Sequence, residues 1–455
     1  MAKEKRTSSI DMTSGSPYRL IISFTLPMLL GNIFQQLYNM VDSIVVGNVI
    51  GDQALAAVGT GFPIIYMLSS LFMGIGTGAT VMISQYYGAR DLEKVDHTIN
   101  TIYMALLVGV VPLTLIGVFL SEPLLRLMQV PDDGTLEMAK TYMIIIFIGV
   151  IGNLGFNINA GILQGFGDSR TSLLFLMIAT VMNIVLDLAF TIPIPMGVAG
   201  VAWATLIAQG VSAVAAFVLF ARELRAYDAP SAVCFDVREL KNMARVALPS
   251  VFQQSTVSIG MMLVQSVVNS FGAETLAGYS AAMRIESICT VPMAAVGNAM
   301  SSYTAQNIGA GEYSRVRRGY RACYGILAAF ALVIFAALQC FSQQLIALFL
   351  NAESSRLALE TGTSCIRFLG WFYILIGLKM ATDGVLRGTG DMGAFTAANL
   401  VNLTLRVVLA AVLAPRLGIR MVWYAVPVGW AANYLISFLR YRTGRWRERG
   451  AGLLA

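Results

Sequence analysis

Polar side chains recur along one apolar stretch near the start of the chain. Between Leu20 and Ile50, Asn32, Gln35, Asn39 and Asp42 are three or four residues apart, so in a helix they share one face. The stretch is long enough to cross a bilayer at about 1.5 Å per residue. A carboxylate inside a spanning helix costs about 3 kcal/mol even on the mildest scales, which makes Asp42 a functional candidate by default. A structural hydrogen bond to a neighbouring helix is the competing reading. Pro27 removes a backbone donor early in the same helix and is a candidate hinge.

Depth selects the residues that could join Asp42. It falls in the outer part of a first span that runs from inside to outside. Asn183 and Asp187, spaced i and i+4, lie near the outer end of the fifth span, and Thr205 lies about two turns into the returning sixth. Two carboxylates, an amide and a hydroxyl are hard oxygen donors suited to a small cation such as Na⁺. They would equally make a proton site, because carboxylates close together in a poorly solvated place repel. Depth alone leaves open separate polar contacts within separate helix pairs.

Other chemistries find little support. His97 is the one histidine, and Cys234, Cys289, Cys323, Cys340 and Cys365 are scattered without a C-x-x-C spacing. No G-x-x-x-x-G-K-[ST] loop is present, so an ATP-driven pump is not expected. No enzyme is expected, no cofactor, and only Na⁺ or H⁺ as a coupling ion. The net charge of +6 does not mark a nucleic-acid surface. With the N-terminus inside, Arg90, Lys94, Arg170, Arg238, Lys241, Arg315, Arg317, Arg318, Arg321 and Arg440 all fall on the inner side. The positive-inside rule then puts both termini in the cytoplasm and the chain in the plasma (inner) membrane.

The elements that must hold these residues follow from composition. Of 455 residues, 57% are hydrophobic and 12% charged, a balance suited to lipid. Twelve apolar spans are expected, in an all-α integral membrane fold. The chain also repeats at an offset of 221–223 residues: Leu26-Pro27 returns as Leu248-Pro249, Gln85 as Gln306, and Leu163-Gln-Gly-Phe-Gly-Asp168 as Leu386-Arg-Gly-Thr-Gly-Asp391. Each half has six helices, so the halves form a parallel repeat, two pseudo-symmetric bundles of the kind that encloses a cleft and rocks around it. The expected layout is a cytoplasmic tail at 1–19, a six-helix lobe at 20–222, a cytoplasmic linker at 223–243, a second lobe at 244–440 and a basic tail at 441–455.

With these motifs in place, the whole chain resembles the multidrug and toxic compound extrusion (MATE) family, and within it the DinF-like branch. The resemblance rests on the two six-helix halves, the early Leu-Pro, the paired Gln…Gly-Ala segments and Leu-Arg-Gly-x-Gly-Asp. It implies a MATE-like fold in which Asp42, Asn183-Ile-Val-Leu-Asp187 and Thr205 couple Na⁺ or H⁺ to export. The implied substrates are organic cations and amphipathic drugs. The other large branch uses further acids in the second half; the seventh span has none here, and Asp383 does not fall at the corresponding place.

Gln35, Tyr38, Asn39, Asn157, Gln254, Met261, Gln265, Met293 and Arg406 are candidates for lining a substrate cleft. Lys379 and Asp383, spaced i and i+4, read as an internal pair. Arg406 has no partner assignable from sequence. It keeps alive the alternative function, a flippase for lipid-linked saccharides, whose anionic substrate would favour a basic cleft. The partners expected are small-molecule drugs, organic cations and the lipid bilayer, with no nucleic acid, and the protein is expected to be a monomer.

Overall fold

The computed structural model describes residues 9–128, 130–226, 235–350 and 355–448. Residues 1–8 of the expected tail, 227–234 of the expected linker and 449–455 of the basic tail lie outside this part. Apolar runs in a bilayer must satisfy their backbone groups internally, and the described chain is helical with no strand among the described residues. The first half contains α1 (Pro17–Val45), α2 (Asp52–Gly88), α3 (Leu92–Leu127), α4 (Thr135–Ile148), α5 (Val150–Gly165), α6 (Ser169–Thr191) and α7 (Val198–Ala226). The second contains α8 (Val237–Asn269), α9 (Ala273–Gly309), α10 (Tyr313–Ala347), α11 (Arg356–Gly370), α12 (Tyr373–Gly388), α13 (Met392–Leu417) and α14 (Arg420–Arg442).

Among the described residues, nine helices are long and apolar enough to cross a membrane, or eleven when each of two bent pairs counts as one span. The remaining segment is α9, which carries Arg284 and Glu286 in its interior and completes the twelve. The bent pairs correct the reading of the fourth and tenth spans as single apolar runs. α4 meets α5 at 51° and α11 meets α12 at 56°. The first bend sits at Gly149, where an added Cβ would lie 2.8 Å from Leu206 Cγ of α7. Close approach to α7 therefore requires a residue without a side chain at the joint.

The chain divides into two compact units. Unit 1 comprises residues 1–10 and 30–251; unit 2 comprises 11–29 and 252–455. Of the three changes of unit, one falls between Ile10 and Asp11, and the other two occur inside α1 and α8, each just after a proline, Pro27 and Pro249. Each crossing helix is tied down near its start. In unit 2, the Asn307 amide and the Arg315 guanidinium donate to the Met12 carbonyl at 3.0 and 3.1 Å. In unit 1, the Tyr86 hydroxyl donates to the Glu239 carboxylate at 2.8 Å.

The repeat is visible in packing as well. In unit 1, a Cβ at Gly161 of α5 would lie 2.4 Å from the Gly76 carbonyl of α2; in unit 2, a Cβ at Gly384 of α12 would lie 2.3 Å from the Gly297 carbonyl of α9. Both pairs let one backbone rest on another, the usual way helices pack without a hydrophobic driving force.

Candidate cation-coupling site

Three helices of unit 1 present the predicted polar residues to one another. Tyr38 and Asp42 are one turn apart on α1, Asn183 and Asp187 one turn apart on α6, and Thr205 is on α7. The Tyr38 hydroxyl is 3.1 Å from Thr205 Oγ1. The Asn183 amide satisfies its neighbours when its nitrogen donates to Asp187 Oδ2 at 3.0 Å and its oxygen accepts from the Thr205 N–H at 3.2 Å. In the opposite orientation, its nitrogen donates to Thr205 Oγ1 at 3.3 Å. Asp187 is fully buried, Asn183 and Thr205 nearly so, and Asp42 partly. Asp42 is within electrostatic reach of both Tyr38 and Asp187.

The carboxylates are incompletely satisfied. Asp42 Oδ1 and Asp187 Oδ1 are both buried without a hydrogen-bond partner, and neither acid forms an ion pair with a described basic residue. Buried carboxylate oxygens without a donor are costly unless a proton or cation joins them. No group of three His, Cys, Asp or Glu side chains that could hold a metal gathers among the described residues. A cation here would therefore draw on the Asn183 and Thr205 oxygens beside the two carboxylates, a set that fits a small monovalent ion with hard-oxygen preference.

Two features are additional to the sequence reading. Tyr38, expected on the substrate path, lends its hydroxyl to Thr205. Tyr142 of α4 comes within electrostatic reach of Asp42, Tyr38 and Asp187, although a tyrosine in an apolar helix carries no sequence signal. Behind it, Val46, Ala54, Tyr142, Ile145, Val198, Val201 and Ala202 form a core that packs α1, α2, α4 and α7 together. Immediately past Asp42, α1 continues as a π-helical turn, Val46–Ile50, a distortion that often accompanies functional sites.

The remaining candidates are spread through both units. In unit 1, Gln35 is partly buried, Asn39 is exposed, and Asn157 donates to the Asn153 carbonyl at 2.9 Å. In unit 2, Met261 is exposed, Gln254 and Gln265 are partly buried, and Met293 is wholly buried beside Gly377. Lys379 pairs with Asp383 at 3.1 Å. Arg406 makes no hydrogen bond or ion pair to a described residue and lies against α14, where a Cβ at Gly429 would come within 2.8 Å of its Cγ.

Twelve spans in two repeated halves among the described residues, with incompletely satisfied acids inside them, define a multi-pass membrane protein. Known proteins agree. The MatE family pattern matches residues 27–189 and 249–412, once in each half and starting at Pro27 and Pro249. A relative in Bacillus subtilis, the probable multidrug resistance protein YpnP, is 31% identical over 440 residues, covering 96% of this chain and 97% of its own. An outward-facing multidrug resistance MATE transporter of the MOP superfamily is 28% identical, with a TM-score of 0.88 and 99% coverage of each chain. A MOP superfamily transporter from Pyrococcus furiosus, for which reversed polarity of the binding pocket suggested a different function, is 28% identical. Its TM-score is 0.87, over 99% of this chain and all of that one. The chain belongs to the MatE family. It is a transporter and not an enzyme.

Proposed function

We propose that the protein is a secondary multidrug efflux antiporter of the inner membrane, with both termini cytoplasmic and acting as a monomer. It exports small-molecule drugs and organic cations in exchange for Na⁺ or H⁺ bound in unit 1. One observation carries this reading: the partnerless buried oxygens of Asp42 and Asp187 beside Asn183 and Thr205. A cation or proton arriving from outside offsets the repulsion between the two acids, which is large in a poorly solvated place. Asp42 feels that change directly and lies on the helix that contains Pro27 and changes unit just after it. Ion occupancy can thus alter α1, with Pro27 as the hinge, and disfavour bound drug while the site faces outward. Release of the ion inside resets the site.

The test is drug resistance in a susceptible bacterial host that expresses Asp42→Asn or Asp187→Asn at wild-type membrane levels. Loss of resistance in both supports the reading; undiminished resistance in Asp42→Asn removes its core. The second reading, a flippase for lipid-linked saccharides, draws on Arg406, which makes no hydrogen bond to a described residue, and on the reversed pocket polarity described for the Pyrococcus furiosus relative. Complementation of a flippase-deficient strain distinguishes it.

A further inference from the structure

Arginines gather at one end of unit 2, and the duplication does not account for them. α10 carries Arg317, Arg318 and Arg321 just ahead of its apolar run, and α14 closes with Arg442, followed by Arg445. All five side chains are exposed, and none forms an ion pair with a described acid. Arg318 donates to the Ser314 hydroxyl at 3.2 Å. At the repeat offset of 221 residues, the corresponding positions on α3 hold Asp96, His97 and Asn100 in place of the three arginines of α10. The charge is therefore a property of unit 2 and not of the repeat.

Aromatic packing brings the two helix ends together. The Tyr320 ring on α10 lies 4.5 Å from the Tyr441 ring on α14, and Tyr313 lies 6.3 Å from Trp446. Past α14 the chain folds back on itself. Trp446 is buried, stacks on Tyr441 at 5.9 Å and donates its indole N–H to the Tyr441 carbonyl at 2.9 Å. Arg317 and Arg321, one turn apart, are within electrostatic reach of Tyr441, and Arg442 follows that tyrosine directly. Cations from both segments thus surround one aromatic cluster. Tyrosine and tryptophan at the end of an apolar span mark the level of the lipid headgroups. Glu312 and Glu448, the acids of these two segments, are exposed and pair with none of the five arginines.

We propose that Arg317, Arg318, Arg321, Arg442 and Arg445 form a docking surface for the phosphate groups of anionic phospholipids in the adjacent leaflet. A guanidinium stays charged under all physiological conditions, and its planar fork matches phosphate oxygens. Basic residues spread over any span ends would serve to orient a chain in the membrane. Here they converge on one surface at headgroup level, where each one adds to the attraction for an anionic bilayer. The aromatic cluster holds the two helix ends in place, so little ordering of the backbone is left for the lipid to supply. The inference stands apart from the ion reading of unit 1.

The experiment mixes purified full-length protein with equal amounts of phosphatidylglycerol and phosphatidylcholine of matched chains, and counts bound lipid by native mass spectrometry. The wild type should retain phosphatidylglycerol in preference. Arg317→Gln/Arg321→Gln/Arg442→Gln should weaken that preference by about tenfold or more. Arg238→Gln/Lys241→Gln/Arg245→Gln, an equal loss of charge at the start of α8, should keep it. No preference in the wild type, an unchanged preference in the first variant, or equal loss in both variants overturns the proposal. Displacement of the lipid by inorganic phosphate at the same concentration also overturns it, because the ligand would then be a free anion. If the first variant does not fold, phosphatidylglycerol with a photoreactive headgroup is applied to the wild type. Labelling should fall within residues 313–324 and 440–448, and labelling only elsewhere overturns the proposal.

Discussion

Asp42, Asn183, Asp187 and Thr205 were legible in sequence because polar side chains are conspicuous against an apolar background. Helical spacing then ranked them by face and depth. What sequence could not supply was pairing between helices. Lys379 and Asp383 are i and i+4, and their ion pair was foreseeable; Asn183 and Thr205 sit on different helices, so their contact emerges only from the fold. The hydroxyls of Thr205 and Tyr38 share a hydrogen bond, and the Thr205 N–H donates to the Asn183 amide oxygen. Thr205→Val should therefore raise the half-saturating concentration of the coupling ion by roughly tenfold, equivalent to about 1.4 kcal/mol, whereas Thr205→Ser should change it little. Ion-dependent efflux titrations on both variants check this. Loss in Thr205→Ser with little change in Thr205→Val would mean that the threonine methyl, and not the hydroxyl, matters.

At the scale of elements, hydropathy located the spans but not the breaks within the fourth and tenth. Each break is set by local packing, such as Gly149 against Leu206, which an apolar run does not record. The contact between Gly161 and the Gly76 carbonyl fixes how closely α2 and α5 approach. Gly161→Ala should cost about 1–3 kcal/mol through overpacking, seen as a lower melting temperature in detergent. Gly384→Ala should do the same in unit 2, and an unchanged melt for both would refute the role given to these contacts. α1 changes unit just past Pro27. Pro27→Ala should leave cation binding near wild type while slowing drug export, because the site is built beyond the proline and the hinge is not. Binding and transport measured on the same preparation separate these effects.

For the molecule as a whole, the duplication read from scattered motifs reappears as two MatE matches, twin proline-containing crossing helices and twin glycine contacts. Chemistry departs from that symmetry: in unit 1 Asp42 and Asp187 each keep a partnerless buried oxygen, whereas in unit 2 Asp383 is paired with Lys379. The proposed antiport needs at least one site whose charge can be exchanged, and the acids of unit 1 are the candidate. The most direct test is ethidium efflux from vesicles containing wild type or Asp42→Asn, with a Na⁺ gradient and a pH gradient imposed separately. Efflux by the wild type that follows one of these gradients and vanishes in Asp42→Asn is the expected result. Gradient-driven efflux that survives in Asp42→Asn would contradict the account.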